Sequence, residues 1–225
     1  MDTQTIVKKL KALSNPENIA GMARFGISPG KAFGIRKPDL RKLAKEIPKN
    51  HKLALELWKT GYLESRIIAS LIDEPEKVTG AQMDNWVKDF DSWDVCDQCC
   101  INLFHKIPYA YEKIFVWSKS NDEYVKRAAF SLIAVLVVHD KKAEDSVFIK
   151  FFPIIKREST DKRNFVKKAV NWSLRQIGKR NINLNKEAVK LACEIQKMNS
   201  KTAKWIASDA IKELENTEII KRIKR

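Results

Sequence analysis

Apolar residues recur three and four positions apart along nearly the whole chain, and that spacing admits one kind of element. In TIVKKLKAL, Ile6, Val7, Leu10 and Leu13 form one stripe. In PDLRKLAKEI, Leu40, Leu43, Ala44 and Ile47 do the same, with Pro38 suited to a first helical turn that needs no N–H. NKEAVKLACEIQKM repeats the pattern through Ala188, Leu191, Ala192 and Ile195. No stretch alternates convincingly with period two, so no sheet is expected. Seven glycines and seven prolines in 225 residues are few for an all-β or nucleotide-binding α/β chain, whose turns and phosphate loops consume glycine. The breaks SNPEN, SPGKAFG, DEPEK, KSND, VHDKK, RESTDK and KRNINLN each suit a turn or a helix N-cap. The pattern predicts about a dozen helices joined by short loops.

The helical segments also repeat. Tyr62, Trp93, Tyr124 and Phe165 stand 31, 31 and 41 residues apart, and each is placed to open a helix. YVKRAAFSLI from Tyr124 and FVKKAVNWSL from Phe165 both begin aromatic-Val-Lys-basic-Ala, and AKWIASDAIKEL from Ala203 is a weaker echo. Self-similarity at this period in an all-α chain predicts stacked antiparallel helix pairs of the HEAT or armadillo kind, because one pair cannot bury its apolar face alone. The expected architecture is a single curved α-solenoid domain over residues 1–225, with the second helix of each pair on the concave side. The opening MDTQTIVKKLKAL lacks the continuous apolar core of a signal peptide. The longest apolar run, AAFSLIAVLVV, is far short of the ~20 residues a membrane span needs, so no membrane association is expected. Four cysteines without a disulfide framework fit a reducing cytoplasm.

Lys and Arg number 43 against 28 Asp and Glu, a formal charge of +15, to which the terminal KRIKR contributes. A surplus of that size favours a polyanionic partner, since cationic side chains displace counterions condensed on phosphate. A merely Lys-rich soluble surface would give the same composition. Arg66, Lys126, Arg127, Lys167, Lys168, Arg175 and Lys204 all fall on second helices. For any one of them a solvated helix face is the ordinary fate. Their recurrence at similar positions in successive repeats is what points to a basic channel for a nucleic-acid backbone.

Within this basic chain DFDSWDVCDQCC, residues 89–100, stands out. Ser92 can cap a helix beginning near Trp93, which puts Trp93 and Asp97 on one face, Asp94 in the first turn, and Asp91 in the loop. A carboxylate at Asp97 inside a basic groove repels DNA. Either it stabilises a cationic transition state, or it forms a salt bridge with Arg127 or Arg175. Trp172, in VNWSLRQ, has Arg175 three residues later on the same side. Two indoles near one carboxylate would make an aromatic-walled anionic notch that binds cations, although core packing is the usual fate of a helical tryptophan. Cys96, Cys99 and Cys100, followed by His105, cannot all converge on one ion from a single helix, and Cys193 is distant in sequence. They read as small core residues, and no metal, organic cofactor or nucleotide-hydrolysis motif is expected.

Five segments together carry a resemblance: MARF near Met22, FGIRKPDLRKLAKE from Phe33, SWDVCD from Ser92, YVKRAAF from Tyr124 and FVKKAVNWSLRQ from Phe165. Over nearly its whole length the chain resembles the AlkD-like DNA alkylation repair glycosylases, which are built from HEAT-like repeats. The family's Trp-Asp-x-x-Asp core matches Trp93-Asp94-Val95-Cys96-Asp97. Its Arg-Ala-Ala helix places the active-site arginine at Arg127, and its Lys-Ala-x-x-Trp-x-x-Arg helix places a second active-site tryptophan at Trp172. The resemblance implies excision of positively charged alkylpurines, such as 7-methylguanine and 3-methyladenine, from double-stranded DNA by hydrolysis of the N-glycosidic bond. It implies further that the lesion is not drawn into a pocket. Asp97, Trp93 and Trp172 would be catalytic. Arg41, Lys126, Arg127, Lys167, Lys168 and Arg175 would contact DNA. The protein would act as a cofactor-free monomer in the cytoplasm, on the nucleoid if prokaryotic. Ser92-Trp93 stands where a family member carries a doubled tryptophan, Val95-Cys96 where it carries Ser-Val, and Phe25 where it carries tyrosine. The alternative is a non-catalytic helical-repeat scaffold for DNA or RNA, for which charge and repeats are equally expected and the Trp93, Asp97 and Trp172 set is not.

Overall fold

The computed structural model describes residues 1–27 and 30–223. Ser28 and Pro29 of the SPGKAFG break, and the last two residues of the basic tail, lie outside the described residues. Among the described residues there are fifteen α-helices, three short 3-10 turns and no strand. The chain falls into two compact units, residues 1–109 and 110–225.

The first unit contains α1 (Thr3–Ala12), α2 (Pro16–Met22), α3 (Lys37–Lys45), α4 (His51–Lys59), α5 (Leu63–Ile72), α6 (Gly80–Lys88) and α7 (Trp93–Asn102). Local chemistry sets the starts. Asp2, Asn15, Asn50, Thr79 and Ser92 each accept an N–H three residues on. Caps of this kind are worth about 1 kcal/mol each. Pro16 and Pro38 sit in first turns, as the sequence suggested. The middle helix α5 packs against α3, α4 and α7, and it buries Leu63, Ile67, Ile68 and Ile72. Trp58 stacks on Trp86 with ring centroids 3.9 Å apart, and its indole N–H donates to Asp89 at 2.8 Å.

The second unit contains α8 (Ala110–Trp117), α9 (Glu123–His139), α10 (Asp145–Ile149), α11 (Phe152–Glu158), α12 (Asn164–Gly178), α13 (Ile182–Gln196), α14 (Lys201–Leu214) and α15 (Thr217–Ile223). Here α9 is apolar nearly all round and buried from Ala128 through Val137. A helix with no polar face belongs in a core, and α8 and α12 cover it. No described helix is long and apolar enough to cross a membrane. Next in line, α12 packs against α14 so closely at Gly178 that a Cβ there would stand 2.7 Å from the Leu214 methyls.

The repeat seen in the sequence has a structural counterpart inside each unit. Tyr62 caps α5, Trp93 opens α7, and Tyr124 and Phe165 are the second residues of α9 and α12. The second helices lie side by side, α5 with α7, α9 with α12, and α12 with α14. Neighbouring second helices touch through their side chains. Asn102 donates to Ser70 at 3.0 Å, and the rings of Tyr124 and Phe165, each the second residue of its helix, stack at 5.7 Å.

Candidate functional site

The residues of DFDSWDVCDQCC take the arrangement their spacing predicts. Ser92 caps α7 by accepting from Val95 N–H, Trp93 is the first helical residue, and Asp97 follows one turn later on the same face. Trp93 and Asp97 are both half-buried. The orientation of Trp93 is set from outside the helix. Its indole Nε1 donates to the carbonyl of Phe25 at 2.7 Å. That carbonyl is available because the chain turns out of the helical stretch at Gly26, which adopts a left-handed φ of 70°. Gly26 N–H bonds to Ala23 and Ile27 N–H to Met22, a pairing that closes a helix end at a glycine. The Phe25 ring beside this turn is 69% exposed.

Asp94 behaves differently from its neighbours. It is only 6% exposed and pairs with Lys37 at the start of α3. The pair ties the first turn of α7 to α3, and the carboxylate also suits the positive end of its own helix. Sequence spacing cannot reveal this partnership, since 57 residues separate the two. Arg41, further along α3, is exposed. Arg66 is a structural cation: it donates to the Asp89 carbonyl at 2.9 Å, lies 3.7 Å from Asp91, and stands over the Trp58 ring at 5.3 Å.

In the second unit the expected cations divide into two groups. Lys126 is nearly enclosed and held by Glu158 and Asp161. Arg175 is paired with Glu213 and lies 3.6 Å from Asp209, both on α14, and Lys179 shares Glu213. Arg127 is 6% exposed and donates one guanidinium N–H to the Phe165 carbonyl at 2.7 Å. Lys168 is exposed, and Lys167 stands over the Trp205 ring, 4.5 Å from its centroid. Trp172 is half-buried on α12. The acids that hold Lys126 and Arg175 lie 32 to 38 residues away, so the sequence alone could not separate the neutralised cations from the unneutralised ones.

Cys96, Cys99 and Cys100 are fully buried. Burial pushes the thiols of Cys99 and Cys100 well up, which keeps them protonated and unreactive. Among the described residues no group of three or more His, Cys, Asp or Glu side chains is placed to hold a metal ion.

No curated protein sequence matches the chain. One solved structure superposes with a TM-score of 0.78 at 21% identity, covering 93% of this chain and 94% of the other. That protein is described as one of a new family related to the HEAT-like repeat DNA glycosylases, with affinity for branched DNA structures. The likeness fixes the fold as a HEAT-like repeat fold. Residues 6–214 match the family model for the DNA alkylation repair enzyme, a span that runs through both units, and the chain belongs to that family.

Proposed function

We propose that this protein is a DNA glycosylase that hydrolyses the N-glycosidic bond of positively charged alkylpurines in duplex DNA. The observation that carries the reading is on α7, where Trp93 is pinned by Phe25 one helical turn before the half-buried carboxylate of Asp97. A carboxylate in a chain of formal charge +15 works against DNA binding unless it acts on a cation. Alkylation at N7 or N3 makes the purine a cationic leaving group. As the C1′–N bond breaks, the electron pair goes to the base, which departs neutral, and positive charge moves to the deoxyribose as an oxocarbenium ion. Asp97 stabilises that sugar cation and orients the water that attacks C1′. The water's oxygen forms the new bond at C1′, its proton is released through Asp97 to solvent, and an abasic site remains.

Trp93 holds the sugar against its ring, favouring the cation by its quadrupole. Phe25 adds apolar surface next to it but no hydroxyl, so this position offers DNA no hydrogen bond. Trp172 takes the role of the second tryptophan. Arg41, Lys167 and Lys168 carry no ion-pair partner among the described residues that would neutralise them, unlike Lys126 and Arg175, and supply the phosphate contacts. Arg127, buried and bonded to a backbone carbonyl, fixes the start of α12 beside any phosphate contact it makes.

A second reading follows from the fold likeness, since the neighbour's family is described as having affinity for branched DNA structures: this chain as a non-catalytic binder of DNA structure. Incubation with duplex DNA carrying 7-methylguanine separates the two. The glycosylase reading requires release of free base above the spontaneous rate. Salt-dependent binding, tighter on a junction than on a duplex and without base release, would replace it with the second reading.

A further inference from the structure

The helices α12 and α14 meet in three successive rungs that are chemically unequal. Lys167 stands over Trp205, Asn171 donates to Asp209, and Arg175 pairs with Glu213. Each rung joins residues 38 apart, and successive rungs advance four residues on both helices, so the two run parallel with these faces in register. In the second and third rungs an acid on α14 meets its donor on α12. In the first, the place of the acid is taken by an indole. The Lys167 ammonium lies 4.5 Å from the ring centroid, and the indole is 41% exposed, an unusual state for a tryptophan on a packed helix.

The surroundings of this rung are cationic. Lys168 adjoins Lys167, Lys204 adjoins Trp205, and Lys201 lies one turn before Trp205 on α14. All three are exposed, and among the described residues none of the four lysines takes part in an ion pair. The neighbouring rungs show that α14 carries acids where a cation is to be neutralised. Here positive charge is left unneutralised around an aromatic surface.

We infer that the Lys167–Trp205 rung is a stacking platform for an unpaired nucleobase next to a backbone phosphate, so that the protein prefers duplex DNA carrying a single-stranded flank over the same duplex with blunt ends. An indole presents a π-face that any base can stack on, and the ammonium groups meet the adjoining phosphates. Fully paired bases keep their faces covered and cannot use it. The inference rests on the reading that this chain binds DNA, and it adds a partner feature that the Trp93 and Asp97 region does not supply.

The test is fluorescence anisotropy with a labelled duplex, blunt or extended by a short oligothymidine tail, against wild type, Trp205→Ala and Trp205→Phe. The expected result is about tenfold tighter binding of the tailed duplex by wild type. Trp205→Ala should lose that preference, and Trp205→Phe should keep most of it. Equal affinity of wild type for both DNAs would overturn the platform while leaving DNA binding intact. A preference that survives in Trp205→Ala would overturn it as well. Failure of wild type to bind either DNA would remove the DNA-binding reading itself.

Discussion

The indole N–H of Trp93 and the backbone carbonyl of Phe25 are joined across 2.7 Å, which ties the first residue of α7 to the last residue before a left-handed glycine. The bond fixes the ring without using its face. Trp93→Phe keeps an aromatic ring and removes the donor. Phe25 is open to water, which can replace the lost partner, so stability should fall by about 1 kcal/mol or less. Base release under single-turnover conditions should fall about tenfold, since a ring free to turn no longer holds the sugar in one position. Trp93→Ala should be slower still.

Lys37 and Asp94 give a prediction about the scaffold beneath that ring. Replacing Lys37 by Met leaves a carboxylate that is 6% exposed without its cation. Removing one partner of a buried pair costs about 3 kcal/mol, and less here because Lys37 is partly exposed. Urea denaturation should therefore show a loss of about 2 kcal/mol for Lys37→Met. The double variant Lys37→Met/Asp94→Asn should recover most of it, because no unpaired charge is left.

The two classes of cation in the second unit should separate in salt titrations of DNA affinity. Each phosphate contact adds about 1 to the slope of log K against log salt. Lys168→Ala should reduce that slope by about 1. Lys126, enclosed by Glu158 and Asp161, should leave the slope nearly unchanged when replaced by Ala and should instead lower the melting temperature.

Acid should loosen the second unit through Glu213. Burial pushes its carboxyl up, but the bonds from Lys179 and the charge of Arg175 outweigh burial and hold it below its ordinary value of 4.5. A carboxyl with a lowered folded value contributes stability that is fully present above 4.5 and is lost as pH falls through the lowered value. Thermal melts of Glu213→Gln should start lower at neutral pH and show a shallower decline below about pH 4.5 than wild type.

The helices and their starts were legible in the sequence because they rest on local chemistry. Ser92, Asn15 and Pro38 act within one turn of where they stand. The aromatic repeat was legible because Tyr62, Trp93, Tyr124 and Phe165 all stand within the first residues of a helix start, from the residue before α5 to the second residue of α9 and α12. The placement of Trp93, Asp94 and Asp97 along α7 followed from spacing alone. What spacing could not give were partners distant in sequence: Lys37 for Asp94, the Phe25 carbonyl for Trp93, Glu158 for Lys126 and Glu213 for Arg175. A basic residue reads the same in a sequence whether its charge meets solvent or an acid on the next repeat. Trp205 carries no signal of its own in the sequence, since only the α12–α14 register reveals that Lys167 stands on it.

The central claim is that the Asp97 carboxylate acts on a developing sugar cation. The most direct measurement is the single-turnover rate of 7-methylguanine release by wild type and Asp97→Asn, taken together with the affinity of each for the same duplex. The account predicts a rate at least about a hundredfold lower for Asp97→Asn, with affinity equal to or tighter than wild type because a repulsive charge has gone. A folded Asp97→Asn that releases base at the wild-type rate would contradict it.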